Sequence, residues 1–208
     1  MSCRRTIIVF SLLIFLAGTS PALGAGPQEA MQGKMEQLLV ILNDPQFQGS
    51  GPKELQKEKI RKITREIFDF TEISRRALAQ HWSSFSAPEK EEFRGLFTEL
   101  LENTYISKIQ GEYNNEKVAY LEQQMASDTV AMVRTKIIRE SVEVPVDYSM
   151  RQKGGNWLIY DVRVEGVSLV KNYRTQFGKI LAKEPPAQLI QRLRDKVAKQ
   201  REGKEEAG

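Results

Sequence analysis

The chain has 208 residues, of which 28% are charged, and its formal net charge at pH 7 is +4. This length is sufficient for one domain with its own hydrophobic core. The small positive excess is weak evidence for nucleic-acid binding, which relies on a strongly basic surface, and the single cysteine, Cys3, excludes a disulfide within the chain.

The first 25 residues have the organisation of a cleavable signal peptide. Arg4 and Arg5 precede an apolar segment, residues 7–17, and the small residues around Ala25 form a cleavage site. The apolar segment is shorter than the roughly 20 residues that a membrane-spanning helix needs. We therefore predict an exported, soluble protein. Cleavage removes two arginines and no acidic residue, so the net charge falls from +4 to +2.

The segment 26–110 has the apolar periodicity of helices. A first helix ends before Pro45, and a second has an apolar stripe and a basic outer face. Asp69 is placed to cap a short third helix, and Ser86 with Glu89 forms a capping box that opens the longest one. The apolar stripe of this longest helix consists of Phe93, Leu96, Phe97, Leu100, Leu101, Tyr105 and Ile109.

From Val118 onwards the period changes to two, which is typical of strands with one buried face. Four strands are predicted, and Gly154 and Gly155 form the turn between the last two. Pro145 cannot donate a hydrogen bond to a neighbouring strand, so we expect an edge or a bulge at this position of the third strand. The residues of the fourth strand predicted to share its buried face are Leu158, Tyr160, Val162 and Val164.

A helix follows the fourth strand directly. Gly166 breaks the alternation, Ser168 can cap the helix, and Leu169, Tyr173 and Phe177 lie on its apolar stripe. A last helix follows two prolines. The chain is therefore predicted to be α+β, with a four-stranded antiparallel meander whose apolar face is covered by helices from both ends of the chain.

These elements form a single predicted domain of residues 26–200. The charged segment 201–208 is predicted to be a disordered tail. The apolar stripes leave two interpretations open, a fully packed core, which is the usual one, and the wall of a ligand cavity.

The sequence has little that indicates catalysis. His81 and the serines near it could pair, with Asp69 orienting the histidine, but a nucleophile elbow and a glycine-rich oxyanion loop are missing. One histidine gives no set of metal ligands at the usual spacing. Arg174 is predicted to pair with Asp161 or to lie on the helix surface rather than to bind a ligand head group. We therefore predict a protein that is not an enzyme and has no metal site.

The segment from Trp157 to Phe177 reads WLIYDVRVEGVSLVKNYRTQF, and it resembles the MlaC, or toluene-tolerance, family. Upstream, residues 68–78, Trp82 and the helix from Glu89 to Tyr105 match the same family pattern in the same order. The resemblance covers nearly all of the predicted mature chain.

This resemblance implies a twisted antiparallel sheet with helices packed against it and an apolar cavity between the two layers for the acyl chains of a phospholipid. It implies a periplasmic carrier of Gram-negative bacteria that shuttles phospholipid between an outer-membrane lipoprotein complex and an inner-membrane ABC transporter bearing an MCE protein. Such a system maintains the lipid asymmetry of the outer membrane. The phospholipid is cargo, and no cofactor is implied.

The residues we expect in the tail-binding wall come from the longest helix, the sheet and the helix after it. They are Phe97, Leu100, Leu101, Tyr105, Val144, Val146, Tyr148, Tyr160, Val162, Val164, Leu169, Tyr173 and Phe177. Two alternatives stay open: a lipid-free scaffold of an envelope complex that docks through the basic helix of residues 57–62, and a periplasmic hydrolase that uses His81.

Overall fold

The computed structural model describes residues 25–49, 51–140 and 142–203. The predicted signal peptide lies outside the described residues apart from Ala25, as do residues 204–208 of the predicted tail. The helices are α1 (Pro27–Asn43), α2 (Lys53–Ile67), α3 (Phe70–Leu78), α4 (Ala87–Glu112), α5 (Leu169–Leu181) and α6 (Pro186–Arg201). The strands are β1 (Lys117–Ser127), β2 (Val130–Arg139), β3 (Val142–Lys153), β4 (Asn156–Val164) and β5 (Val167–Ser168).

The predicted helix starts are confirmed by their capping hydrogen bonds. The Asp69 carboxylate accepts from the Glu72 N–H at the start of α3, and Ser86 with Glu89 forms a full capping box at α4. The Ser168 hydroxyl accepts from the Lys171 N–H at 3.0 Å, which starts α5 where the sequence predicts it. These side chains satisfy N–H groups that have no partner within the first turn of a helix.

The strands form one antiparallel meander in the order β1-β2-β3-β4-β5. The predicted α+β class is confirmed, but the sheet has five strands where four were predicted, because the short β5 pairs with Arg163 and Val164. Pro145 lies one residue before the first β3–β4 pair, so its missing N–H falls where β3 has no ladder partner in β4.

A β-bulge in β4 changes which of its residues face which layer. Tyr148 pairs with Val162 and Met150 with Ile159, so three residues of β3 lie opposite four of β4 and Tyr160 is the extra residue. Directly opposed residues project from the same face of a sheet. The bulge therefore places Ile159 and Val162 on one face although their sequence separation is odd.

The predicted buried face of β4 is wrong for two of its four residues. Val162 and Val164 project with the buried side chains of β3, whereas Leu158 and Tyr160 lie on the opposite face. The guanidinium carbon of Arg76 in α3 lies 4.0 Å from the centre of the Tyr160 ring. Strict alternation fails here because the extra residue of a bulge exchanges the faces to which the residues beyond it project.

Most of the buried apolar residues in the described part of the chain form three clusters. The helical cluster lies among α3–α6 and consists of Ile73, Ala77, Leu78, Phe85, Phe93, Phe97, Leu100, Leu101, Val170, Phe177, Leu189, Ile190, Leu193 and Val197. The sheet cluster consists of Met31, Ile67, Ala131, Val133, Val146, Tyr148, Met150, Trp157 and Ile159. A third, smaller cluster consists of Leu42, Ile60 and Ile106.

A network of charges joins α3 to the sheet. The Arg151 guanidinium in β3 lies 3.0 Å from the Asp69 carboxylate and 3.1 Å from that of Glu72, and both carboxylates are buried. The Asp69 N–H also donates to the Ile159 carbonyl at 2.8 Å. Buried carboxylates are tolerated when they are paired and hydrogen-bonded, and these contacts attach the start of α3 to β3 and β4.

Of the two predicted positions of Arg174, the structure has the helix surface and not the pairing with Asp161. The Nε–H of Arg174 donates to the Arg76 carbonyl at 2.9 Å, and the Asp161 carboxylate accepts from the start of α5 instead. At the other end of the chain, α6 continues to Arg201, whose guanidinium lies 2.6 Å from the carboxylate of Glu99 in α4.

Candidate functional site

A cavity of about 460 Å³ lies where the three clusters meet. This volume is within the range of about 300–1,000 Å³ that is usual for ligand pockets. Its wall is mostly apolar and comes from α1–α5 and the sheet. The apolar side chains that line it are Met35, Leu38, Ile63, Ile67, Phe68, Phe70, Ile73, Leu101, Tyr105, Ile109, Tyr148, Ile159, Val162, Val164, Val167 and Leu169.

Four of the lining residues are exposed, and we call this group the mouth of the cavity: Tyr105, Val164, Val167 and Asn172. Tyr105 is 39% exposed, Val164 45% and Val167 66%, so the apolar wall continues to the protein surface. The turn between β4 and β5 lies here, with Glu165 and Gly166 both at positive φ. The wall at the mouth is therefore formed by this hairpin, by Tyr105 of α4 and by Asn172 of α5.

Most polar groups in the wall are occupied by partners within the protein. Lys34 pairs with Glu66. The buried Glu102 carboxylate accepts from Arg65 at 2.7 and 2.8 Å, and this hydrogen bond raises the pKa of the Arg65 guanidinium. Asp161 accepts from the start of α5. Hydrogen-bonded carboxylates need no ligand, so the surface offered to an occupant is mainly hydrocarbon.

Tyr148 and Tyr105 place hydroxyl-bearing rings in this wall. Burial raises the pKa of Tyr148 and of Tyr105, so both phenols are neutral at physiological pH. The wall therefore gains no negative charge from its tyrosines.

The structure brings six of the thirteen predicted wall residues to the cavity. They are Leu101, Tyr105, Tyr148, Val162, Val164 and Leu169. That these side chains contact lipid stays a prediction.

The other seven predicted residues lie outside the wall. Phe97, Leu100 and Phe177 belong to the helical cluster, and Tyr173 packs against it. The Phe97 ring centre is 5.1 Å from that of Phe177 and 4.9 Å from that of Tyr173, so these side chains are occupied by one another.

The sheet residues among those seven are held in a similar way. Val146 is in the sheet cluster, Val144 packs against that cluster, and Tyr160 stacks on Arg76. The sequence could not separate these seven residues from the six in the wall, because an apolar stripe has the same periodicity whether it faces a cavity or another stripe.

Sequence reasoning missed the contribution of the N-terminal helices. Met35 and Leu38 of α1, Ile63 and Ile67 of α2, and the start of α3 form much of the wall. Ile63 and Ile67 lie on the apolar stripe that the sequence indicates for the second helix. The sequence shows that these residues form apolar stripes, but it does not show which way each stripe faces.

Two of the groups considered for a hydrolase, the Asp69 carboxylate and the Ser84 hydroxyl, have other partners. The Asp69 carboxylate pairs with Arg151 and with Lys153, and the His81 carbonyl accepts from the Ser84 hydroxyl at 2.7 Å. Over residues 25–49, 51–140 and 142–203, no group of three or more His, Cys, Asp or Glu side chains is placed to hold a metal ion. None of the helices described for this chain is long and apolar enough to cross a membrane.

Two characterised relatives and one solved structure are similar to this chain. The intermembrane phospholipid transport system binding protein MlaC of Haemophilus influenzae is 22% identical over 93% of this chain and 92% of its own length. The toluene tolerance protein ttg2D of Pseudomonas putida is 26% identical over 84% of this chain and 80% of its own length.

The solved structure is a phospholipid-binding protein from Ralstonia solanacearum in complex with a phospholipid. It superposes with a TM-score of 0.75 at 24% identity and covers 85% of this chain and 99% of that chain, which confirms the fold. The family model described as MlaC protein matches residues 32–195, so the chain belongs to the MlaC family.

Proposed function

We propose that this protein is a periplasmic phospholipid carrier. The observation that carries the proposal is the cavity of about 460 Å³, whose apolar wall continues to solvent at its mouth. The MlaC relative is named as a phospholipid transport binding protein, and the similar solved structure contains a phospholipid. Both support the same class of cargo for this chain.

The energetic need for such a cavity is large. Two acyl chains have about 30 methylenes, and their exposure to water at about 0.8 kcal/mol each costs on the order of 20 kcal/mol. A phospholipid therefore crosses an aqueous compartment only when its tails are covered. The carrier does not have to bind the tails much more strongly than a membrane does, because transfer in and out requires similar free energies in both places.

The head group has a different requirement. Lys34, the cation in the cavity wall, is already paired with Glu66, and the carboxylates Glu102 and Asp161 are hydrogen-bonded within the protein. An anionic or zwitterionic head group gains little from entering such a wall and remains hydrated at the mouth. We therefore expect binding to depend on the tails more than on the head group.

The cellular role follows from the family and from the predicted signal peptide. We propose that the protein receives and delivers phospholipid between an outer-membrane lipoprotein complex and an inner-membrane MCE-protein ABC transporter. This transport maintains the lipid asymmetry of the outer membrane. The weak net charge after signal cleavage suits a carrier that must dissociate from each membrane component.

Filling the cavity tests this function. Val162 lines the cavity and is half-buried, so Val162→Trp should occupy space that a tail would take and reduce the phospholipid that co-purifies with the protein. Val40→Trp is the matched control, because Val40 lies on α1, is 71% exposed and does not line the cavity. Native mass spectrometry of each variant measures lipid occupancy, and a melting curve separates lost binding from overpacking, which costs about 1–3 kcal/mol.

Equal lipid occupancy in Val162→Trp and wild type would reject the cavity as the binding site. Organic extraction of the wild-type protein is the broader test. A carrier releases phospholipid on extraction, whereas a protein that yields none behaves as the lipid-free scaffold.

A further inference from the structure

The wall beside the mouth is built from the shortest strand of the sheet. β5 has two residues and pairs with β4 only through Arg163 and Val164. Val164 and Val167 on the two sides of the turn are largely exposed, so few apolar contacts hold this hairpin in place. Segments with few buried contacts are those that open locally at low free-energy cost.

The helix that follows is fixed more firmly than the hairpin. Val170 and Phe177 of α5 are buried in the helical cluster, whereas Ser168 and Leu169 line the cavity. The boundary between a fixed helix and a loosely held hairpin therefore lies at Ser168, within the cavity wall.

The buried carboxylate of Asp161 connects the two sides of this boundary. The Ser168 hydroxyl donates to Asp161 Oδ2 at 2.7 Å, and the Val170 N–H donates to Asp161 Oδ1 at 3.0 Å. The same hydroxyl accepts from the Lys171 N–H. Two groups at the start of α5 therefore bind Asp161 directly, and a third is connected to it through Ser168. The positive end of the helix dipole also favours a carboxylate at this place.

Asp161 is an unexpected residue for a wall that stores hydrocarbon. A carboxylate in apolar surroundings is costly unless it is hydrogen-bonded, and both of its oxygens are occupied by α5. Asp161 therefore serves to position β5 and the start of α5 in the cavity wall. Opening that part of the wall requires the hydrogen bonds from Ser168 and Val170 to break.

We propose that Asp161 and Ser168 are positioning residues that hold the β4–β5 hairpin to the start of α5 beside the mouth and thereby set the rate of lipid exchange. This inference rests on the proposed carrier function. Val167 and Leu169 line the cavity at this place. We therefore expect a leaving tail to pass them, and its rate of release to follow the frequency with which this wall opens.

The test uses two serine caps of the same kind. Ser168→Ala removes a cap that is in the cavity wall, and Ser86→Ala removes the cap of α4, which is not among the lining residues. Both changes delete a hydroxyl that accepts an N–H in the first turn of a helix. Ser168→Thr keeps the hydroxyl and should restore wild-type behaviour.

The measured quantity is the rate at which protein loaded with a fluorescent phosphatidylethanolamine transfers it to phosphatidylcholine vesicles. We expect Ser168→Ala to transfer about fivefold faster than wild type, which corresponds to the loss of the hydrogen bond from Ser168 to Asp161. Ser86→Ala loses only a helix cap of the kind that the Lys171 N–H also loses, and it should keep the wild-type rate, as should Ser168→Thr. Asp161→Asn leaves one acceptor oxygen and should give an intermediate rate. It also provides the test if Ser168→Ala does not fold.

A wild-type rate in folded Ser168→Ala or in folded Asp161→Asn would overturn the inference. An equal acceleration in Ser86→Ala would also overturn it, because the effect would then come from general loss of stability. A wild-type protein that takes up no phospholipid contradicts the carrier function itself. Loading with unchanged exchange rates contradicts only the role of Asp161 and Ser168.

Discussion

At the scale of single residues, the fold decides which partner each buried charge obtains. Asp161 is bound by Ser168 and Val170, Glu102 by Arg65, and Glu72 by three arginines. The sequence offered Arg174 as one partner for Asp161, with the helix surface as the alternative position of that arginine, and did not indicate the N–H and hydroxyl groups at the start of α5. Both arginine and backbone N–H groups bind carboxylates, so residue type alone does not choose between them.

Glu72 gives the clearest prediction at this scale. Its hydrogen bond to Arg75, helped by Arg76 and opposed by burial, lowers the pKa of Glu72 from 4.5 to about 2. Glu72→Gln should lower the free energy of unfolding by about 2–3 kcal/mol at pH 7. Because the folded-state pKa is depressed, the wild-type advantage is full above pH 4.5 and disappears as the pH falls towards 2. Urea unfolding of both proteins across this range measures the difference.

Glu91→Gln is the matched control for this prediction. Glu91 and Arg94 have the same separation along a helix as Glu72 and Arg75, and they form the same type of pair at the surface. An exposed pair is screened by solvent and contributes little. A Glu72→Gln protein as stable as Glu91→Gln at pH 7 would show that the buried network does not stabilise the fold.

At the scale of elements, the sequence predicted where helices and strands begin but not which way they face. Caps at Asp69, Ser86 and Ser168 are local signals, because the capping side chain and the N–H groups it binds are within three residues. The bulge at Tyr160 depends on the pairing of β3 with β4. The alternation within one strand gives no information about this pairing. The two β4 residues assigned to the wrong face are those that the bulge displaced.

Leu100 and Leu101 of α4 test this distinction within one helix. Both were predicted to contact lipid, but Leu100 is in the helical cluster away from the cavity wall, and Leu101 lines the cavity. Leu100→Ala should lower the free energy of unfolding by about 2–5 kcal/mol and leave the phospholipid content of the folded protein unchanged. Leu101→Ala should cost less, because part of its surface already borders empty space, and should change the phospholipid content.

Thermal unfolding and native mass spectrometry of the two variants measure these outcomes. A change in lipid content with Leu100→Ala and none with Leu101→Ala would show that α4 presents its other face to the lipid.

At the scale of the whole molecule, the division of the core into three clusters is what creates a site. The sequence predicted the α+β class and the antiparallel meander, and the residues alone favoured a packed core over a cavity. Resemblance to a family, rather than periodicity, indicated the space between the layers. Apolar stripes contain no information about the distance between the elements that carry them, so residues such as Met35 and Leu38 were not assigned to the wall.

A ligand that fills this space should stabilise the entire fold. On the proposed carrier function, phospholipid binds the folded protein and not the unfolded chain, so a ligand concentration of about 100 times Kd adds about 2.7 kcal/mol to the free energy of unfolding. For a chain of this size we expect the melting temperature to fall by about 5–10 °C after the lipid is extracted and the protein refolded. Adding phospholipid back should restore it.

Val162→Trp, whose added ring takes the place of a tail, should melt at the same temperature with and without lipid. Identical melting of loaded and extracted wild-type protein would mean that the lipid is held outside the cavity, because only an occupant of the space between the clusters contributes to the packing of all three.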